Sequence, residues 1–422
     1  MNILVIGGGG REHAIAWRLR RSASVDKIWA TPGNPGIARV AECVPCSSEP
    51  AALVSLASSL GADLTVVGPE APLVDGVVDA FRAAGLRIVG PTRAAAQLEG
   101  SKIFSKDFMR ENRIETARYA ATFDFEFAQR AAAAFDYPIV LKADGLAAGK
   151  GVVICSTHEE AAGVLRAMFS GELVGRAGSR VVIEEFLRGE EVSFIVLTDG
   201  RHAIPLQPTQ DHKAIHDHDE GPNTGGMGAY CDSRILSDAM TARIMDTVIY
   251  PTLCGMRERG MPFTGFLYAG LMMTADGPKV LEFNVRCGDP ETQALMHRLD
   301  GDFGAVLEAC AAGDLSGVPL HWHADPSVCV VMAAEGYPGK PRTGDVITGI
   351  EEAEATGATV FQAGTRMTAA GLETAGGRVL GVTASGPALA GAIANAYAAV
   401  GRIHFAGRQY RTDIGGKGLK RW

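Results

Sequence analysis

The strongest constraint on this chain is the alternation of short apolar runs with amphipathic stretches through its first ninety residues. Residues 2–6 (NILVI) make a short buried strand, residues 7–10 a tight glycine turn and residues 11–21 a helix. The pattern repeats, with strands at 27–30, 64–67 and 87–89 and helices at 51–60 and 74–84. Strands that alternate with helices close as a parallel, doubly wound sheet, which binds ligands at its carboxyl edge. On that edge stand PGNPG (32–36), GPEAP (68–72) and GPT (90–92), each of which also reads as a plain turn. The first turn offers backbone amides and a helix N-terminus to an anion. A dinucleotide fingerprint would need a third glycine at position 12, where Glu12 stands, so a phosphate of some other ligand is the reading that survives.

Beyond a charged helix over residues 101–112, with Lys102 at its start, the order of elements changes. Residues 138–142 (PIVLK) form a strand, 143–150 are glycine-rich, and 151–155 (GVVIC) form a strand again before a helix opened by Thr157 and Glu160 as a capping box. A Walker A loop has four residues before its Gly-Lys, ends in Ser or Thr, and runs into a helix. Here three residues separate Gly145 from Gly149, Lys150 is followed by Gly151, and a strand comes next. The loop therefore reads as a flap between antiparallel strands, whose amides and Lys150 close over a triphosphate while Lys142 reaches in, or else as a plain hairpin. Residues 180–187 are a strand ending in Glu184 and Glu185. Backbone groups leaving it suit an adenine edge, and a carboxylate a few residues on suits ribose hydroxyls. Residues 211–228 are too polar and glycine-rich for a core element and form a functional loop. No regular element puts His212, His216 and His218 on one face, and no second pair follows the CxxC of Cys43 and Cys46, so neither group is taken as a metal site.

The stretch 279–291 (KVLEFNVRCGDPE) follows two strands at 263–274 and 278–285. Alternation sends Leu281, Phe283 and Val285 to an apolar face and Glu282, Asn284 and Arg286 to the other. Residues two apart on a strand are about 6–7 Å apart, close enough for the Glu282 carboxylate and the Asn284 amide oxygen to share hard cations such as Mg²⁺. A guanidinium at Arg286 suits a phosphoryl group or a carboxylate through two parallel hydrogen bonds. The competing reading is an edge strand with a solvated polar face. Residues 241–259 are helical with a break at Pro251, and from about residue 325 a smaller mixed unit begins, with no acid, base or metal cluster of its own, that packs to complete one wall.

A formal charge of −8 argues against a nucleic-acid surface or a polybasic membrane patch. The N-terminus is no signal peptide and no run approaches membrane-spanning length, so a cytoplasmic location is expected. Eight scattered cysteines read as reduced thiols, and no apolar helical seam suggests more than a monomer.

Nine segments in one order carry a resemblance: GGGGREHA (7–14), VVGPEAPLV (66–74), QLEGSK (97–102), LKADGLAAGKGV (141–152), VIEEFLRGEE (182–191), QDHK (210–213), GPNTGGMGAY (221–230), TGFLYAGLM (264–272) and LEFNVRCGDPETQ (281–293). The chain resembles the phosphoribosylamine-glycine ligase (glycinamide ribonucleotide synthetase) family of ATP-grasp enzymes. The resemblance implies an α/β architecture: an N-terminal doubly wound domain (1–100), an ATP-grasp body (101–324) with a small mobile lid at about 118–188, and a C-terminal mixed α/β domain (325–422). It implies that ATP, glycine and 5-phosphoribosylamine give glycinamide ribonucleotide, ADP and phosphate through glycyl phosphate, in purine biosynthesis. By the same resemblance, Lys102 and Lys142 contact phosphates, with Lys150 on the flap. Glu184, Glu185, Phe186 and Leu187 form the adenine hinge, Glu191 holds the ribose, and Glu282 with Asn284 binds Mg²⁺ or Mn²⁺. Gly9, Gly10, Arg11 and Glu12, with Asn223, Thr224, Gly225, Gly226 and Met227, face phosphoribosylamine. Asp211, Lys213 and Arg286 supply further substrate contacts, and Arg286, Lys142 and Lys213 are the expected catalytic cations.

The chain departs from the family pattern at three points. Ala214 stands where Arg is frequent, Cys287 where Phe is usual, and TGFLYAGLM has no carboxylate for a full two-metal site. Rival readings are a related ligase with other substrates, a nucleotide-sensing binding protein, and a nicotinamide-dependent dehydrogenase, the last weakened by the failed fingerprint.

Overall fold

Val, Ile and Leu dominate the N-terminal runs because each forms a strand buried on both faces. A computed structural model describes residues 1–145, 151–173 and 180–421. In it β1 (Asn2–Gly7), β2 (Lys27–Pro32), β3 (Glu42–Cys43), β4 (Leu64–Val67) and β5 (Ile88–Val89) pair in parallel in the order β3-β2-β1-β4-β5. The helix Gly10–Leu19 begins one residue earlier than expected, and the segment expected as one helix over 74–84 is two, Glu70–Asp75 and Val77–Ala83, parted at Gly76 (φ 91°). The expected doubly wound sheet is therefore present, with its carboxyl edge turned toward the rest of the chain.

The second unit carries its own core. Strands β6 (Tyr119–Thr122), β7 (Ile139–Ala143), β8 (Val152–Cys155) and β9 (Val181–Glu185) form an antiparallel sheet ordered β6-β9-β7-β8. Two helices, Phe125–Ala133 and His158–Phe169, cover it, and Ala128, Ala132, Ile139, Leu141, Leu165 and Met168 lie in a cluster separate from the main core. Thr157 accepts the Glu160 amide as expected, while the Glu160 carboxylate reaches one residue further back, to the Ser156 amide at 2.8 Å.

The remaining strands are β10 (Glu190–Thr198), β11 (Ala203–Pro205), β12 (Thr209–Asp211), β13 (Gly228–Cys231), β14 (Gly265–Thr274), β15 (Gly277–Asn284), β16 (Leu299–Asp300), β17 (His321–Trp322), β18 (Ser327–Ala333), β19 (Thr359–Gln362), β20 (Thr365–Thr368), β21 (Gly371–Thr374) and β22 (Arg378–Ser385). One sheet runs β15-β14-β10-β12-β13-β18-β22-β19. Its β13–β18 ladder, Gly228↔Val330 to Cys231↔Ser327, joins the central body to the C-terminal unit, so that unit continues the sheet and does more than pack against it. The helical pattern with Pro251 is resolved by a π-helical turn, Met245–Ile249, placed just before the proline and its missing N–H. Among the described residues no helix is long and apolar enough to cross a membrane.

The edge strand β15 departs from simple alternation. Gly270 pairs with Glu282 but Leu271 pairs with Val280, so Leu281 is the extra residue of a bulge. Val280 takes the core position with Phe283 and Val285, while Leu281 turns to the opposite side and packs on Ala117, Leu187 and Met272. The expectation that Leu281 shares the core face is thus corrected, because the bulge reverses the facing of every residue before it relative to those after.

A continuous ladder predicts common opening. In native-state hydrogen exchange the amides of β13 and β18 should open together, at least ~2 kcal/mol above those of β6 to β9, which have only their own small core. Independent opening of β18 would contradict the shared sheet.

Candidate active site

The units enclose a cleft of ≈ 720 Å³ whose floor is β15 and whose walls come from the lid, the N-terminal loops and the C-terminal unit. On the floor the Glu282 carboxylate has no hydrogen bond or ion pair to a described residue. Burial pushes its carboxyl up, but Lys213, Lys142, Lys102 and Arg286 around it hold it below the ordinary range. Asn284 faces the same cleft, its Oδ1 taking only a 3.3 Å bond from Arg286. Arg286 itself is held by the chain, with Nε 3.2 Å from Glu70 and Nη2 2.9 Å from Glu99, and donates to the Cys287 carbonyl at 3.2 Å. The two parallel bonds expected for a ligand are made to these carboxylates, so Arg286 ties the floor to the N-terminal unit. Burial pushes Glu99 up, with Arg286 offsetting it only in part.

The lid wall is built on a buried triad of charges. Glu184 is 1% exposed, with Oε2 2.9 Å from Lys142 Nζ and 3.2 Å from Lys106 Nζ. Burial pulls the Lys106 ammonium down to about 8, against Glu184 and with the help of Lys142. Lys142 also donates to the Leu281 carbonyl at 3.1 Å, at the bulge. So Lys142 is positioned by a carboxylate and the bulged strand, and the Glu184 side chain is its counterion through Oε2, while Glu184 Oε1 is buried with no hydrogen-bond partner among the described residues. Glu185, Phe186 and Leu187 line the cleft, where Leu187, Met272 and Leu281 make an apolar patch. Lys102, at the start of the helix Lys102–Glu111 capped by Ser101, donates to the Gly145 carbonyl at 3.1 Å. Lys150 lies outside the described residues.

Next to the floor, Lys213 meets Glu191 at 2.7 Å. Asp211 is pushed up to about 7 by burial and by Glu291, Glu191 and Glu282, against the pull of Lys213. Tyr268, opposite Asn284 in the β14–β15 ladder, occupies the strand where a second carboxylate was sought, and donates its hydroxyl to Glu291 at 3.0 Å. Among the described residues no three His, Cys, Asp or Glu side chains converge as a metal cluster. His212 is buried and pushed down to about 4, chiefly by burial, while His216 and His218 are exposed, so the three do not converge.

The residues expected to face the sugar-phosphate amine are placed differently from one another. Of the loop 9–12 only Arg11 lines the cleft. Glu12 is 3% exposed and accepts from Gly9 N and Arg11 Nε at 2.6 Å each, filling space that a Cβ on Gly68 would occupy at 2.0 Å. Glu12 thus replaces a third glycine as the internal brace of the turn. Gly9 and Gly10 back onto Asp289 and Gln293. Asn223, Thr224 and Gly225 line the cleft, whereas Gly226 abuts Pro290 and Met227 is fully buried with Ile215, Val331 and Ala333. Cys287 is buried, its thiol pushed up to about 12 by burial, which suits packing. Ala214 is buried and its carbonyl accepts from the buried Arg411 at 3.2 Å. Sequence reasoning missed Glu70, Glu99, Lys106, Tyr268 and Glu291, and the C-terminal Tyr337 and Arg378, which also line the cleft. Glu70 and Glu99 sat inside motifs, but Arg378 had no local signal.

Three family models match the chain in order: phosphoribosylglycinamide synthetase N domain on residues 1–99, its ATP-grasp (A) domain on 100–292 and its C domain on 327–417. A phosphoribosylamine–glycine ligase of Xylella fastidiosa is 51% identical over 426 residues, covering 100% of this chain and 97% of that one. Another, from Ralstonia nicotianae, is 50% identical over 427 residues, covering 100% of both. The crystal structure of phosphoribosylamine–glycine ligase from Thermotoga maritima matches with a TM-score of 0.86 at 34% identity, covering 98% of this chain and 100% of that one.

Two outcomes follow from these charges. Glu184→Gln leaves two buried ammonium groups without their carboxylate and should lower the unfolding free energy by about 3–5 kcal/mol in urea melts, whereas Glu185→Gln should change it little. Asp211 gains protons on folding across the interval from the ordinary carboxylate range up to about 7, so its contribution favours the folded state at low pH and is lost as pH rises through that interval. Asp211→Asn should therefore flatten the fall in Tm between about pH 4 and pH 7; an unchanged pH profile would show that this carboxyl titrates normally.

Proposed function

This chain belongs to the phosphoribosylglycinamide synthetase family of ATP-grasp ligases, and we propose that its cleft joins the carboxylate of glycine to the amine of 5-phosphoribosylamine by way of glycyl phosphate. The enzyme is an ATP-dependent carboxylate–amine ligase of purine biosynthesis. The observation that carries the site assignment is Glu282, a cleft-facing carboxylate with no described partner, held in its charged form by the cations around it and two residues from Asn284.

Two hard oxygen donors with room for water and phosphate oxygens fit a small divalent cation, Mg²⁺ or Mn²⁺, better than a site built wholly from side chains. Glu282 and Asn284 would hold it, and when bound it would neutralise charge on the triphosphate. The apolar patch of Leu187, Met272 and Leu281 suits a purine face, with the backbone of Glu184 to Leu187 along its edge and Glu191 near its ribose. Lys102 and Lys142 face the phosphates. Asp211, Lys213 and Asn223 to Gly225 face the sugar-phosphate amine beside Arg11, while Arg286 fixes the floor against Glu70 and Glu99.

Glycine's carboxylate is a poor electrophile, since one oxygen would have to leave as a dianion. Its oxygen attacks the γ-phosphorus in line and ADP leaves, with Lys102 and Lys142 offsetting charge on the transferring group. The amine then attacks the acyl carbon, loses a proton, and phosphate departs with the former carboxylate oxygen. No nucleophilic Ser or Cys is needed: the Cys287 thiol, beside Arg286 in sequence, is buried and pushed up to about 12, unsuited to attack. The proposed working unit is a single chain, because residues from every unit of this one chain wall the cleft.

Glycine labelled with ¹⁸O in its carboxylate tests the intermediate. One label per turnover should appear in the released phosphate; unlabelled phosphate would exclude glycyl phosphate. Omitting ATP, glycine and phosphoribosylamine in turn, with ADP as the readout, tests the substrate set.

A further inference from the structure

Arg378, the first residue of β22, lies flat against Gly225: a Cβ on that glycine would stand 3.0 Å from the guanidinium carbon. Its Nη1 donates to the carbonyls of Gly225 at 2.6 Å and Asp289 at 2.7 Å, and its Nη2 is 3.2 Å from Asp289 Oδ2. The Tyr337 hydroxyl accepts the Gly225 N–H at 2.9 Å. Both backbone polar groups of Gly225 are thus held by the C-terminal unit. One residue earlier, the amide and the hydroxyl of Thr224 both donate to the Lys213 carbonyl, each at 2.8 Å. Gly226 N donates to Thr224 Oγ1 at 2.9 Å and Met227 N to the His212 carbonyl at 2.8 Å. With the amides of 224–227 all engaged, this glycine-rich loop supports its neighbours and leaves none of these amides for a phosphate.

We infer that Arg378 and Tyr337 are positioning residues for Lys213, fixing its backbone through Gly225 and Thr224 and so setting the affinity for the sugar-phosphate amine. The inference rests on the proposed placement of Lys213 against that substrate. The physical reason is that a long ammonium side chain is only as well placed as its backbone, and a displacement of about 1 Å at a positioned group costs on the order of 10²-fold in rate. The Lys213 backbone, in a loop between β12 and β13, is pinned here from the C-terminal unit.

A double-mutant cycle on the full chain tests this, using calorimetric binding of glycinamide ribonucleotide in the presence of ADP and Mg²⁺. Lys213→Met and Arg378→Met should each weaken binding about tenfold, and the double variant should be within about twofold of Lys213→Met alone, because both act through one ammonium. The affinity of Arg378→Met for ATP should stay within about twofold of the parent. Fully additive losses, or an undiminished affinity in Arg378→Met where Lys213→Met is impaired, would overturn the positioning role. Undiminished affinity in Lys213→Met would remove the substrate placement on which the inference rests. If Arg378→Met does not melt cooperatively, Tyr337→Phe takes its place in the same cycle, since it deletes only the hydroxyl that receives Gly225 N–H and keeps the ring against Gly377.

Discussion

The pairing of β14 with β15, and the bulge it contains, is the constraint from which the cleft follows. Phe283 and Val285 anchor the strand in the core while Glu282 and Asn284 are left facing inward to the cleft. By adding one residue, the bulge turns Leu281 to the cleft side and leaves its carbonyl for Lys142. A regular strand would have buried Leu281 and taken that carbonyl out of reach. The apolar patch, the acid and amide, and one of the lid cations are thus all placed by a single irregularity.

Charge around the cleft is arranged in pairs. Arg11 meets Glu12, Lys106 and Lys142 share Glu184, Lys213 meets Glu191, Arg286 is held by Glu70 and Glu99, and Arg378 meets Asp289. Among the described cations that line the cleft, Lys102 is the one without a carboxylate partner; Glu282 is an anion with no described partner. Paired groups keep fixed geometry in the absence of ligand, since each side chain is already restrained by its counterion. Lys102 and Glu282 mark places where added charge of either sign is accommodated.

The C-terminal unit belongs to the same sheet as the floor, through β13 and β18. This continuity gives Arg378 and Tyr337 a rigid base from which to hold the glycine-rich loop, and gives the buried Arg411 one from which to hold the Ala214 carbonyl with Asp219 and Asp413. The four-stranded unit, with its own sheet and core, touches the floor through the apolar contact of Leu187 with Met272 and Leu281 and through the Lys142 bond to the Leu281 carbonyl.

Local sequence determined the doubly wound N-terminal sheet, the strands on either side of the glycine-rich segment, the helix cap at Thr157, and the polar face of Glu282 and Asn284. These rest on periodicity, turn chemistry and capping, which act over a few residues. It did not reveal the bulge at Leu281, because a register shift is set by the partner strand. Nor did it separate Arg11, which faces the cleft, from its neighbour Glu12, which braces the turn, since the two sit in one motif. The partners of the site's charges were decided only by tertiary structure: Arg286 finds Glu70 from 216 positions away and Arg378 finds Gly225 from 153. A buried charge needs a counterion, and nothing in the neighbouring sequence says which distant segment will supply it.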